Sequence, residues 1–148
     1  MKKYYKIILI ALWVGFIYYN SLQPANISSA QSFKFVTFFQ NIFLKLGINI
    51  STDTLSLIIR KGAHMFEYFV LALLFSIFYK DFVFSKKRLF CYIFFSTILI
   101  SVFDEVIQTF VVGRSGSIVD VGIDMLGGLI GIGLAFIFIY RKREKKNK

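Results

Sequence analysis

Residues 118–140, IVDVGIDMLGGLIGIGLAFIFIY, make an apolar run long enough to cross a hydrocarbon layer about 30 Å thick, which takes about 20 helical residues. Three more runs bounded by charge, at about 6–22, 60–79 and 89–111, have the same character. Lipid offers the backbone no hydrogen-bond partner, so each run must satisfy its own amides as a helix. Four such spans in 148 residues leave no room for a soluble domain, and a composition 57% hydrophobic and 19% aromatic excludes an ordinary soluble fold. The expected class is all-α, an integral membrane four-helix bundle with a short interfacial amphipathic helix between spans one and two.

Span one carries no charge after Lys6 and ends at Gln23-Pro24, where proline stops a helix. MKKYYK followed by an apolar stretch also has the first two regions of a cleaved signal, although residues 23–30 offer no clean small-x-small cleavage site. Span two has room to begin earlier, at the cap-forming residues of positions 51–53. Between these spans, SFKFVTFFQNIFLKLGI (32–48) repeats Lys34, Thr37, Asn41 and Lys45 at three- and four-residue steps, with Phe35, Phe38, Phe39, Ile42 and Leu46 around the other face. Such a helix either lies on the membrane surface or packs its apolar side against the bundle. The single Cys91 excludes a disulfide within the chain.

Of the 18 Lys and Arg residues, 13 lie before span one, in KDFVFSKKR (80–88) or in the basic tail RKREKKNK (141–148). The positive-inside rule then places both termini in the cytoplasm of a multi-pass protein. The net charge of +10 is mostly this topological signal, and no interleaved aromatic and basic pattern suggests nucleic acid as a partner. Lys34, Lys45, Arg60, Lys61 and Arg114 remain, on the outer side or near it.

Three of those cations adjoin carboxylates that an apolar chain has no structural reason to carry. At about 1.5 Å per residue, Glu67, Asp104, Glu105 and Asp124 fall at one depth, roughly 9–11 Å below the outer surface. Lys61, His64 and Glu67 share a face of span two, Asp104 and Glu105 meet Gln108 one turn on, and Asp120 and Asp124 coincide on span four. An isolated charge at mid-membrane costs roughly 2.5–3.5 kcal/mol, so these groups must converge on a bundle interior open to the outer side. Counting Asp120, five carboxylates face the three cations Arg60, Lys61 and Arg114, a deficit of two that calls for bound protons, a cation or a ligand amine.

KGAHMFEY (61–68), DEVIQTFVVGRSGSIVDVGIDMLGGLIGI (104–132) and SLQP (21–24) resemble the VanZ-like family of small bacterial membrane proteins, a likeness running from residue 6 to 140. The family's Lys-x-x-His-x-x-Glu-Tyr element falls on Lys61, His64, Glu67 and Tyr68, its Asp-Glu-x-x-Gln on Asp104, Glu105 and Gln108, and its Gly-Arg-Ser on Gly113, Arg114 and Ser115. Its paired acidic or amide positions opening the last helix fall on Asp120 and Asp124. Two departures are Val112, where the family often has Pro, and Asp124, where Asn is frequent. The resemblance implies one membrane domain over residues 1–148 in the bacterial plasma membrane, and a namesake that confers low-level resistance to teicoplanin, a lipid-bearing glycopeptide.

The chemistry of these residues allows several uses. His64, Glu67, Asp104, Glu105 and Asp124 offer imidazole and carboxylate ligands for a divalent cation. His64 with Glu67, Asp104 or Glu105 also suits acid–base work, or simply a buried histidine bonded to a carboxylate. Arg60, Lys61 and Arg114 suit a phosphate or carboxylate, with Tyr68, Gln108, Ser115, Asp120 and Asp124 as further ligand-binding candidates. GRSG (113–116) matches the Gly-x-Ser-Gly of rhomboid-type proteases, but those bury the serine among six helices, whereas Ser115 falls in a short outer loop. GGLIGIG (127–133) sets Gly127 and Gly131 four apart, a spacing that lets helices approach closely.

The expectation is a cell-envelope protein recognising a lipid headgroup, a lipid-linked precursor or a lipid-tailed glycopeptide of the teicoplanin type. The alternatives are a membrane-embedded enzyme that uses His64 and a carboxylate on a lipid-linked substrate, and a scaffold in a membrane complex. The topology is tested by single cysteines at positions 2, 84 and 145, which should resist an impermeant thiol reagent in intact cells, and at 30 and 116, which should react. Labelling from outside at 84 would invert the orientation.

Overall fold

The computed structural model describes residues 4–146, the side chains of residue 31 and of residues 140–146 excepted. Among the described residues five helices follow one another without a strand: α1 (Tyr4–Ser21), α2 (Ala25–Lys45), α3 (Thr52–Tyr79), α4 (Lys86–Gln108) and α5 (Ile118–Lys146). Thr52–Tyr79, Lys86–Gln108 and Ile118–Ile139 are each long and apolar enough to cross a membrane, which makes the chain a multi-pass membrane protein. α1 covers the first expected span in 18 residues but is not one of those three. Its ends carry Tyr4, Tyr5, Tyr18, Tyr19 and Asn20, groups suited to a membrane–water boundary. Lys2 and Lys3, and the side chains of the basic tail, lie outside the described residues.

The helix after α1 begins and ends earlier than its polar periodicity suggests, at Ala25–Lys45 in place of 32–48. Pro24 stands at the N-cap with φ −53°, so the residue that closes α1 also opens α2. At the far end Gly47, at φ 76°, lets Ile48 N–H donate to the Phe43 carbonyl at 2.9 Å and Gly47 N–H to Leu44 at 3.0 Å, the paired bonds of a Schellman stop. α2 rests on α3 through a narrow stripe that includes the buried Val36, and Gln40 approaches Thr52 at 3.5 Å. Phe33, Phe35, Phe38, Phe39 and Ile42 stay exposed, so the apolar face is turned away from the bundle.

α3 starts at the early end of its expected range because Ser51 caps it, its hydroxyl accepting from Thr54 N–H at 3.2 Å. α4 spans Lys86–Gln108, three residues earlier at each end than expected, since the chain turns at Thr109 to bring Ser117 back over α4. That return needs Gly116: a Cβ there would sit 2.6 Å from the Glu105 carbonyl oxygen. Gly113, at φ 76° and tight against Ala25, makes the other bend in the loop.

α3 and α5 form the most extensive helix contact, and small residues make it possible. A Cβ on Gly127 would collide with the Met65 carbonyl, and one on Gly131 would stand 2.5 Å from that of Phe69. One residue on, Gly128 faces Thr97 of α4. Below this crossing the apolar core gathers Ile17, Tyr68, Leu71, Ala72, Phe75, Leu89, Ile93 and Ile132. α1 is tied to α3 by Trp13 Nε1–H on the Glu67 carbonyl at 2.9 Å and by Lys6 Nζ, which reaches the Ile77 carbonyl at 3.0 Å and Asp81 at 2.5 Å. The core thus fills the half of the bundle near Lys6, and the carboxylates occupy the other half.

Gly127→Ala should therefore destabilise the protein by about 1–3 kcal/mol, because a packed backbone has to move. Gly133→Ala, with nothing within 4 Å of its Cβ, should leave the midpoint of thermal unfolding in detergent unchanged. Equal midpoints for the two variants would refute the close crossing.

Candidate functional site

Above the glycine crossing, α3, α4 and α5 turn polar side chains toward one another, and the end of α1 closes the fourth side. Asp104 and Asp124 are fully buried, Glu67, Glu105 and Gln108 nearly so, and His64 is half-buried. Charges placed this deep must be held by dipoles or partners. Asn20 Nδ2 donates to Glu67 Oε1 at 2.7 Å, and Ser101 Oγ–H donates to Asp124 Oδ2 at 2.7 Å. Gln108 Nε2 reaches both Asp104 Oδ2 and Glu105 Oε1 at 3.2 Å, as the four- and three-residue spacing predicts. The second oxygen of Glu105 accepts from Ser117 N–H at 2.7 Å.

The partner oxygens are treated differently. Glu67 Oε2, Asp104 Oδ1 and Asp124 Oδ1 are buried and accept no well-formed hydrogen bond among the described residues, although the buried Ser21 hydroxyl lies near Asp104, and His64 Nδ1 likewise has no partner. His64 Nδ1 stands 3.8 Å from Glu67 Oε2 and 3.9 Å from Asp104 Oδ2, too far for a hydrogen bond. His64, Asp104 and Asp124 each place a potential ligand atom within 4.8 Å of the others, which makes them the residues able to hold a metal ion. Tyr68, fully buried on the neighbouring face of α3, also carries an unpaired hydroxyl.

A cleft of about 280 Å³ opens over this layer, its wall formed by Arg60, Lys61, His64, Gln108, Arg114 and Asp120 among others. A smaller one of about 130 Å³, walled by Asn20, Ser28, Ser32 and Glu67, shares Arg60, His64 and Arg114 with it. Among the described residues the cations form no dense ion-pair network with the carboxylates. Lys61 pairs with Asp120, and both are half-exposed, a setting in which such a pair contributes at most about 1 kcal/mol. Arg114 Nη2 donates instead to the Asn20 carbonyl at 3.2 Å, because its loop folds against the α1–α2 turn. No salt bridge joins Arg60 or Arg114 to a carboxylate among the described residues. Burial, then repulsion from Arg60, draws the Arg114 guanidinium below its ordinary range, yet an arginine remains charged there.

The sequence-predicted residues other than Tyr68, whose ring belongs to the apolar core, gather at this end of the molecule, but with different standing. Ser115 is exposed on the cleft rim and has no hydrogen bond to His64 among the described residues. Asp120 and Asp124, one turn apart, divide between the rim and the buried layer. Asn20 and Ser101 are site residues that no motif in the sequence singles out. The signal was available: Asn20 is an amide ending an apolar run, and Ser101 lies three residues before Asp104 on one face of α4.

The fold and site together define a class, the small multi-pass helical membrane protein that ties three apolar helices together through an embedded layer of carboxylates, amides and imidazole. The sequence profile described as VanZ/LLP1 matches residues 6–139, and the chain belongs to that family. No curated protein and no solved structure gives a match.

Because the Asp124 side chain is fully buried between helices, where a lysine has neither space nor a partner, Asp124→Lys should abolish accumulation in the membrane. Asp81→Lys, on an exposed turn beside Lys6, should keep at least about half the wild-type level, as expected when a half-exposed pair is lost. Quantitative immunoblotting of membranes compares the two, and equal abundance would contradict a buried site.

Proposed function

We propose that this protein recognises the headgroup of an amphiphile at the outer leaflet of the bacterial plasma membrane: a phospholipid, a lipid-linked precursor, or a lipid-tailed glycopeptide such as teicoplanin. One observation carries the reading, the cleft of about 280 Å³ with Arg60, Lys61 and Arg114 on its wall at the ends of three apolar helices. A phosphate or carboxylate there meets positive charge, including a guanidinium able to form two parallel hydrogen bonds, while its hydrocarbon tail stays in lipid. The exposed phenylalanines of α2 support placement of this end at a membrane surface. Membership of the VanZ/LLP1 family supports a link to glycopeptide resistance. In this reading α1 is the fourth span and both termini are cytoplasmic.

A second reading, a transferase or hydrolase acting on a lipid-linked headgroup, draws on His64, which lines the cleft and lies within 4 Å of two buried carboxylates. Binding that survives His64→Gln while turnover is lost would favour it.

The test of the leading reading is teicoplanin susceptibility in a bacterial host lacking the native protein, measured beside membrane abundance. Arg60→Ala combined with Arg114→Ala should accumulate normally and lose protection. Full protection by that variant at normal abundance would remove the cationic cleft from the function.

A further inference from the structure

We propose that His64, Asp104 and Asp124, with Glu67 beside them, bind one divalent transition-metal ion of the Mn²⁺ or Zn²⁺ type. This inference goes beyond headgroup recognition and stands without it. Its basis is a pattern repeated on three carboxylates. Each has one oxygen held by an amide or hydroxyl: Asp104 by Gln108, Asp124 by Ser101 and Glu67 by Asn20. Each has its other oxygen buried and without a well-placed donor among the described residues. Outer groups that orient a carboxylate while leaving a lone pair free are the usual support of metal ligands.

The spacing agrees. Ligand atoms about 2.1 Å from a common ion lie roughly 3.4 Å apart in a tetrahedron. His64 Nδ1 is 3.8 Å from the free Oε2 of Glu67 and 3.9 Å from Asp104 Oδ2, the oxygen that Gln108 holds, and the set of His64, Asp104 and Asp124 closes to within 4.8 Å. Small side-chain rotations bring His64, Asp104 and Asp124 onto one ion, with the Asp104 carboxylate turning to present its free Oδ1. The ligands come from three helices, so the ion would also hold α3, α4 and α5 at one height. Charge points the same way: with the three carboxylates ionised as ligands beside a neutral imidazole, a divalent ion together with the nearby Arg114 balances their three negative charges.

The donor set selects the metal. Imidazole favours a transition ion over Ca²⁺ or Mg²⁺, carboxylates disfavour Cu⁺, and a mixed nitrogen and oxygen set is usual for Mn²⁺ and Zn²⁺. His64 and Asp124 also line the larger cleft, so the ion would be reachable from it and keep positions for water or an oxyanion.

The test uses the full chain, purified in detergent, stripped with a chelator and titrated with Mn²⁺ and, separately, Zn²⁺. One ion per chain is expected. His64→Gln and Asp124→Ala should weaken binding at least about 100-fold, whereas Ser101→Ala, which only frees Asp124 to swing, should weaken it about 10-fold. Asp124→Asn, which keeps an oxygen but loses a charge, should fall between these. Asp53→Asn, on the exposed first turn of α3, should bind as wild type. Should a buried variant fail to fold, pulsed EPR of Mn²⁺ on the wild-type protein decides: an imidazole nitrogen coupled to the ion is expected. No stoichiometric ion on the wild type, a spectrum without nitrogen coupling, or equal binding by Ser101→Ala, Asp124→Ala and wild type would overturn the proposal. None of these readouts involves teicoplanin or lipid, so failure here leaves headgroup recognition to its own test.

Discussion

Helices that meet in lipid gain little from expelling solvent, because hydrocarbon outside the contact is as apolar as the side chains within it. What holds α3 against α5 is close backbone packing over Gly127 and Gly131, where the carbonyls of Met65 and Phe69 occupy space a side chain would need. That contact sets the relative height of the two helices. Asp124 stands one turn before Gly127 and His64 one residue before Met65, so the glycine register also brings these two groups together. A larger residue at either glycine would separate more than two helices. It would pull apart the polar layer that α4 and α1 complete.

The bundle divides along its length because its two halves solve different problems. Near Lys6, interdigitated aliphatic and aromatic side chains from α1, α3, α4 and α5 fill most of the interior, and the buried Ser76 and Thr97 hydroxyls bond carbonyls of their own helices. Near Lys61, carboxylates replace them, and every buried oxygen must find a donor or carry the cost of lost hydration. A network kept only to join helices would gain little over apolar packing, since desolvation consumes most of the Coulombic attraction. The layer here is not arranged for the strongest internal pairing either. Lys61 and Asp120 pair at the half-exposed rim, while His64 and the deepest carboxylates stand just outside hydrogen-bond range of one another. That arrangement supports the proposed ligand site over a closed strut.

Much of this is legible in the residues. Apolar run length calls for membrane helices, the four- and three-residue spacing to Gln108 pairs it with Asp104 and Glu105, and the Gly127 and Gly131 steps mark a close helix face. Other features are not legible. Pro24 reads as a stop and serves also as a start, because a proline has no amide to lose at the head of a helix. Arg114 reads as a carboxylate partner and bonds a backbone carbonyl of α1, since the loop carrying it folds against the α1–α2 turn. Asn20 and Glu67 are 47 residues apart and no spacing rule connects them.

The solvent, the helices and the depth of each polar group along its own helix follow from the residues in order, since hydropathy and a rise of about 1.5 Å per residue are local properties. Which oxygen of Glu67, Asp104 and Asp124 is held and which is left free follows from the packed fold alone. That choice depends on how far each helix is rotated about its axis and shifted against its neighbours, and close packing at the glycine crossing, not local composition, sets those quantities.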